Sequence, residues 1–147
     1  MQLFIGGAHA GKRDLVASRF PEAVWSTAEE EPWREERPAG RTRVITGWHH
    51  WLETALAAES DDDRLRARLG ERLEALCQAE AAHDVEWVLI LSEMGRGIVP
   101  LEPRDRRLRD LAGWLAQDAA ARADEVWYLR HGLASCLKRR SAARSAR

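Results

Sequence analysis

Gly6-Gly7-Ala8-His9-Ala10-Gly11-Lys12 is the stretch of this sequence best suited to chemistry, because it matches G-x-x-x-x-G-K, the core of the Walker A phosphate loop. The glycines let backbone N–H groups turn inward around phosphate oxygens, a following helix N-terminus adds partial positive charge, and Lys12 reaches the outer phosphates. An apolar run, Leu3 to Ile5, precedes the loop and a helical pattern follows it. That setting separates a phosphate loop from a glycine-rich turn with a chance lysine. The eight positions from Gly6 to Arg13 are therefore assigned to a nucleotide, ATP or GTP, with Lys12 also catalytic. Arg13 departs from the motif, since Ser or Thr at that position ligates magnesium. A guanidinium pairs with a phosphate oxygen instead, which leaves Mg2+ to be held through water or another side chain.

Glu93 follows the apolar run Trp87 to Leu91 and so falls at the carboxyl edge of a parallel sheet, where the phosphate loop also opens. It is a candidate base or metal-water ligand, and the competing reading is a solvated carboxylate at a strand end. Asp110, beside Arg109, either orients substrate or pairs locally. His49 and His50 lie among Trp48 and Trp51 on a helical pattern, where packing or hydrogen bonding is the default role.

The elements that must position these groups alternate. Strands are predicted over Leu3 to Ile5, Ala23 to Trp25, Arg43 to Thr46, Trp87 to Leu91 and Glu125 to Leu129. Helices are predicted over Arg13 to Arg19, Gly47 to Ala58, Asp63 to Ala82 and Arg104 to Arg122. Leu65, Leu69, Leu73 and Leu76 line one face of the third, and Asp61 to Asp63 give it an acidic start that suits the helix dipole. Strands alternating with helices imply an α/β sandwich around a mostly parallel sheet. Glu29 to Gly40, charged and holding Pro32 and Pro38, is expected to be an exposed loop.

A chain of 147 residues is the size of one domain that buries its own core. The 23 Lys and Arg nearly cancel the 24 Asp and Glu, so overall charge points to neither nucleic acid nor membrane. The basic end from Lys138 through Arg147 is expected to fray, giving one domain over 1–138 and a basic, disordered tail over 139–147. Cys77 and Cys136 lack zinc spacing, nothing like a secretory signal opens the chain, and charge interrupts every apolar run. A soluble, cytoplasmic protein is the expectation. Trp48, Trp51, Trp87, Trp114 and Trp127 all fall in apolar patterns, with core packing as their default role.

Ser92-Glu93-Met94-Gly95-Arg96-Gly97-Ile98-Val99-Pro100, then Arg109-Asp110-Leu111-Ala112-Gly113, then Ala123-Asp124-Glu125-Val126-Trp127 form a succession. It resembles the signature of the adenosylcobinamide kinase/adenosylcobinamide-phosphate guanylyltransferase family: N-E-V-G-x-G-I-V-P, F-R-D-x-x-G-x-x-N-Q and A-D-E-V-W. Val44-Ile45-Thr46-Gly47 and Trp51-Leu52 more loosely parallel its V-x-x-D-C-x-x-x-W-L. The resemblance implies a RecA-like P-loop NTPase fold and a homotrimer with active sites between subunits. It also implies phosphorylation of adenosylcobinamide by a nucleoside triphosphate, then guanylyl transfer from GTP through a histidine.

The sequence departs from that pattern at three points. Arg13 replaces the hydroxyl residue, and Thr46 or Gly47 stands at the metal-binding aspartate, leaving Thr46 as a weak ligand. No histidine lies between Ala10 and Trp48, where the family's guanylyl carrier belongs; Arg37-Pro38 is all that remains of that segment. Two readings therefore stand: a short adenosylcobinamide kinase, or a catalytically degenerate module that binds nucleotide or corrinoid. A kinase for another hydroxyl-bearing metabolite is a third.

Overall fold

The computed structural model describes residues 1–7, 9–35, 40–93 and 102–139. Six strands form one sheet: β1 (Gln2–Gly6), β2 (Val24–Thr27), β3 (Thr42–Thr46), β4 (Glu86–Ser92), β5 (Glu125–Arg130) and β6 (Leu133–Lys138). Their order is β2-β3-β4-β1-β5-β6, parallel throughout except for β6. The helices are α1 (Lys12–Arg19), α2 (Trp48–Ala58), α3 (Asp62–His83) and α4 (Pro103–Arg122). The expected α/β architecture is thus observed, and each predicted strand and helix is present with ends moved by a residue or two.

β1 and β4 lie at the centre and are apolar on both faces, as strands covered on both sides must be. Alternation divides their side chains. Phe4, Val88 and Ile90 pack with Val44, Leu129 and Val16 of α1. Leu3, Leu89 and Trp87 pack on the opposite face with α2, α3 and α4. Leu65, Leu69, Leu73 and Leu76 of α3 are all buried there, each worth about 2 kcal/mol on removal from water. Asp61 caps α3 by accepting from the amides of Asp63 and Arg64. After β1 the chain crosses by α1 toward β2, whereas after β4 it crosses by α4 to β5 on the other side of β1. Connections leaving in opposite directions open a crevice at the carboxyl ends of neighbouring strands.

Three readings need correction. β6, absent from the sequence reading, closes the sheet through a two-residue turn at His131 (φ 54°) and Gly132 (φ 76°), the positive-φ pair that a tight hairpin requires. Lys138 does not fray: it ends β6, and its ammonium donates to the carbonyls of Ala120 and Ala121 at the end of α4. The stretch from Glu29 is not uniformly exposed, because short 3-10 turns at Ala28–Glu30 and Pro32–Arg34 bury Pro32 and Trp33. Trp33 stacks on Trp48 at 5.7 Å and meets Trp51 edge-on at 6.0 Å, so tertiary packing overrides the local polarity. Of the tryptophans assigned to the core, Trp48 and Trp87 are buried, while Trp51, Trp114 and Trp127 are half-buried.

Glu35 ties this segment down. Its carboxylate accepts two hydrogen bonds from the buried Arg43 guanidinium, at 2.7 and 3.1 Å, and Arg43 also donates to Ser26 Oγ. Those bonds hold the Glu35 carboxyl below the usual carboxylate range, against the opposing effect of partial burial. A depressed folded-state value means that the contribution is present at neutral pH and is lost as pH falls through that value. Glu35→Gln is therefore expected to cost roughly 1–2 kcal/mol at pH 7, discounted for the half-exposed carboxylate. The cost should shrink in acid, as checked by urea denaturation at pH 7 and pH 3.5.

Candidate functional site

The phosphate loop is held at its base by close backbone packing. Gly6, the last residue of β1, has no room for a Cβ, which would fall well inside contact distance of the Leu129 carbonyl oxygen. Gly11, at φ 90°, occupies left-handed space before α1 begins. The Gly132 amide of the β5–β6 turn donates to the Ala10 carbonyl at 3.0 Å, so the hairpin missing from the sequence reading supports the loop from the side. Ala8 lies outside the described residues.

Lys12 opens α1 and is buried. Its ammonium donates to the carbonyls of Gly6 at 3.1 Å and Gly7 at 2.6 Å, at the centre of the loop. Burial pushes its pKa down, and the nearby Glu93 carboxylate opposes that by favouring the charged form. Glu93 stands where expected, just past the carboxyl end of β4. Its amide donates to the Gly6 carbonyl at 2.8 Å, and its Oε2 accepts from Tyr128 Oη at 2.7 Å. Tyr128 is a site residue that sequence reasoning missed.

A cleft of about 450 Å³ opens beside the loop, lined by His9 to Asp14, by Thr46 to His49, by Leu52, by Ile90 to Ser92, and by Ala112 and Leu115 of α4. Three groups of residues that are distant in sequence thus meet at one mouth: the loop, the end of β3 and the end of β4. Thr46, the weak ligand candidate, is buried within this lining. Arg13 lines the cleft, and its guanidinium lies 5.9 Å from the centre of the Trp25 ring. Glu93, Arg109 and Asp110 are all absent from the cleft's lining; Glu93 follows the lining residue Ser92 and acts electrostatically on Lys12, whereas Arg109 and Asp110 approach each other at 3.7 Å on α4, a local pairing. Met94 to Pro100, which carry the glycine signature, lie outside the described residues.

The two histidines sit on the surface beside carboxylates: His50 Nε2 is 2.7 Å from Glu29 and His49 Nε2 is 2.8 Å from Glu53. His49 nevertheless lines the cleft, a placement that depends on the turn at Gly47 and that no spacing rule supplies. Among the described residues no group of three or more His, Cys, Asp or Glu side chains is arranged to hold a metal. No helix among them is long and apolar enough to cross a membrane.

The family model for cobinamide kinase / cobinamide phosphate guanyltransferase matches residues 16–137. That span starts after the phosphate loop, so the loop's assignment stands on its own motif and geometry. The chain is 34% identical over 138 residues to the bifunctional adenosylcobalamin biosynthesis protein CobP of Pseudomonas aeruginosa, covering 90% of this chain and 77% of that one. It is 33% identical over 89 residues to the bifunctional adenosylcobalamin biosynthesis protein CobU of Salmonella typhimurium, and 32% identical over 80 residues to that of Escherichia coli. Those two matches cover 57% and 54% of this chain, and only 49% and 44% of the relatives. With the P-loop crevice in place and most of its length matched, this chain belongs to the cobinamide kinase / cobinamide phosphate guanyltransferase family.

Proposed function

We propose that this chain transfers the outer phosphate of a nucleoside triphosphate to a hydroxyl of adenosylcobinamide, the kinase reaction of its family. The observation that carries this reading is that Lys12, at the start of α1, reaches back to the end of β1 while Glu93 follows the end of the adjacent β4, the two joined through Gly6, whose carbonyl accepts from both. Incoming phosphates offer Lys12 anionic acceptors in place of two neutral carbonyls, a stronger set of hydrogen bonds. Lys12 and the loop amides then neutralise charge on the transferring group. The substrate hydroxyl oxygen forms the new bond to phosphorus while the bridging bond to the nucleoside diphosphate breaks. Glu93 takes the hydroxyl proton.

Magnesium, when bound, supplies further neutralisation of the phosphate charge. The Thr46 hydroxyl, buried in the cleft lining, would be its protein partner, with phosphate oxygens and water supplying the rest, since among the described residues no group of three or more His, Cys, Asp or Glu side chains stands ready to hold a metal. For the guanylyl step, the imidazoles that the cleft offers are those of His9 and His49. A homotrimer is the assembly the resemblance implies. Leu133 and Leu137, 76% and 64% exposed and four residues apart on the edge strand β6, are apolar surface that such a contact would cover.

Nucleotide titrations with and without magnesium test the reading against a degenerate binding module. A transfer site is expected to bind ATP or GTP more tightly with the metal and to turn over in the presence of adenosylcobinamide. Metal-indifferent binding without turnover would favour the module.

A further inference from the structure

Tyr128 reaches Glu93 across a strand. β5 and β4 both pair with β1, and Ile5 is the register partner of Tyr128 on one side and of Leu91 on the other. Glu93 follows Leu91 by two residues and continues its side of the pleat. The phenol therefore extends from β5 over β1 toward the carboxyl edge and donates to Glu93 Oε2 at 2.7 Å, a short charge-assisted bond. The same β5–β6 unit presents the Leu129 carbonyl against Gly6 and the Gly132 amide to Ala10. One hairpin thus touches both the phosphate loop and the acid.

We infer that Tyr128 is a positioning residue, holding the Glu93 carboxylate at a fixed place relative to a phosphate loop that is supported from the same hairpin. This rests on the kinase reading and on Glu93 as its base. A glutamate beyond the end of its strand has rotamers that carry the carboxylate away from Lys12, and a hydrogen bond from a ring with two stiff torsions selects among them. The residue acts through Glu93, so its loss should appear in turnover rather than in nucleotide binding.

Tyr128→Phe removes only the hydroxyl and is expected to lower kcat about tenfold while the nucleotide KM stays within about twofold. In the Glu93→Gln background the same change should add less than about twofold, since the base whose position the phenol fixes is already gone. Tyr128 is the one tyrosine in the chain, so 3-fluorotyrosine labelling gives a 19F NMR signal that reports this residue alone. That signal should move in Glu93→Gln. An unmoved signal, an unchanged kcat in Tyr128→Phe, or independent multiplication of the two effects would each overturn the inference. Full turnover in Glu93→Gln would instead remove Glu93 as the base, and the positioning role with it. A parent protein that binds nucleotide but phosphorylates no corrinoid defeats the kinase reading, and the 19F signal then decides whether Tyr128 holds Glu93.

Discussion

Lys12→Ala is expected to weaken nucleotide binding by roughly a hundredfold, about 3 kcal/mol, and to abolish phosphate transfer while the fold persists. The lysine sits within the loop, where water is partly excluded and each bond to a phosphate oxygen counts for more than on the surface. Stability should change little, because the ammonium's bonds to Gly6 and Gly7 are offset by the desolvation that already depresses its pKa. Calorimetric titration with ATP and GTP measures the first effect and thermal unfolding the second. Affinity within twofold of the parent would remove the phosphate site from the account.

Glu93→Gln is expected to lower kcat by roughly a hundred- to a thousandfold, the usual contribution of a positioned general base, with nucleotide affinity at neutral pH within a few-fold. Glutamine keeps the volume and an oxygen that can accept from Tyr128, so the loss isolates the proton acceptor. The variant also removes the carboxylate that opposes burial at Lys12. The Lys12 pKa then falls further, and because a neutral amine holds phosphate weakly, nucleotide affinity should decline at lower pH than in the parent. Pre-steady-state transfer and a pH series of binding titrations separate the two consequences. Unchanged turnover would take Glu93 off the catalytic list.

The phosphate loop was legible because its constraints are local: glycines where side chains do not fit, a lysine at a fixed offset, and a strand and helix on either side. The Leu65 to Leu76 face of α3 was legible for the same reason, a short-range period. What escaped depends on contacts between distant segments. Trp33 lies among charges and prolines, and its burial is decided by Trp48 and Trp51 across the chain. β6 carries no clear alternation in Leu133-Ala134-Ser135-Cys136-Leu137-Lys138, and the signal available was His131-Gly132, a two-residue turn after an apolar run. Tyr128 looks like an ordinary strand residue until β5 is placed beside β1, and His49 like a helix-surface imidazole until Gly47 sets α2 against the cleft. Arg109 and Asp110 stood out in a family pattern, yet they pair with each other on α4 rather than lining the cleft.

Transfer of phosphate from ATP and, separately, from GTP to adenosylcobinamide in the presence of magnesium, with the corrinoid followed by mass spectrometry, decides whether this chain is a kinase. The parent chain is expected to form a corrinoid heavier by one phosphoryl group, a product missing with Lys12→Ala. Nucleotide that binds at the loop while the corrinoid mass stays unchanged with either triphosphate would contradict the kinase reading.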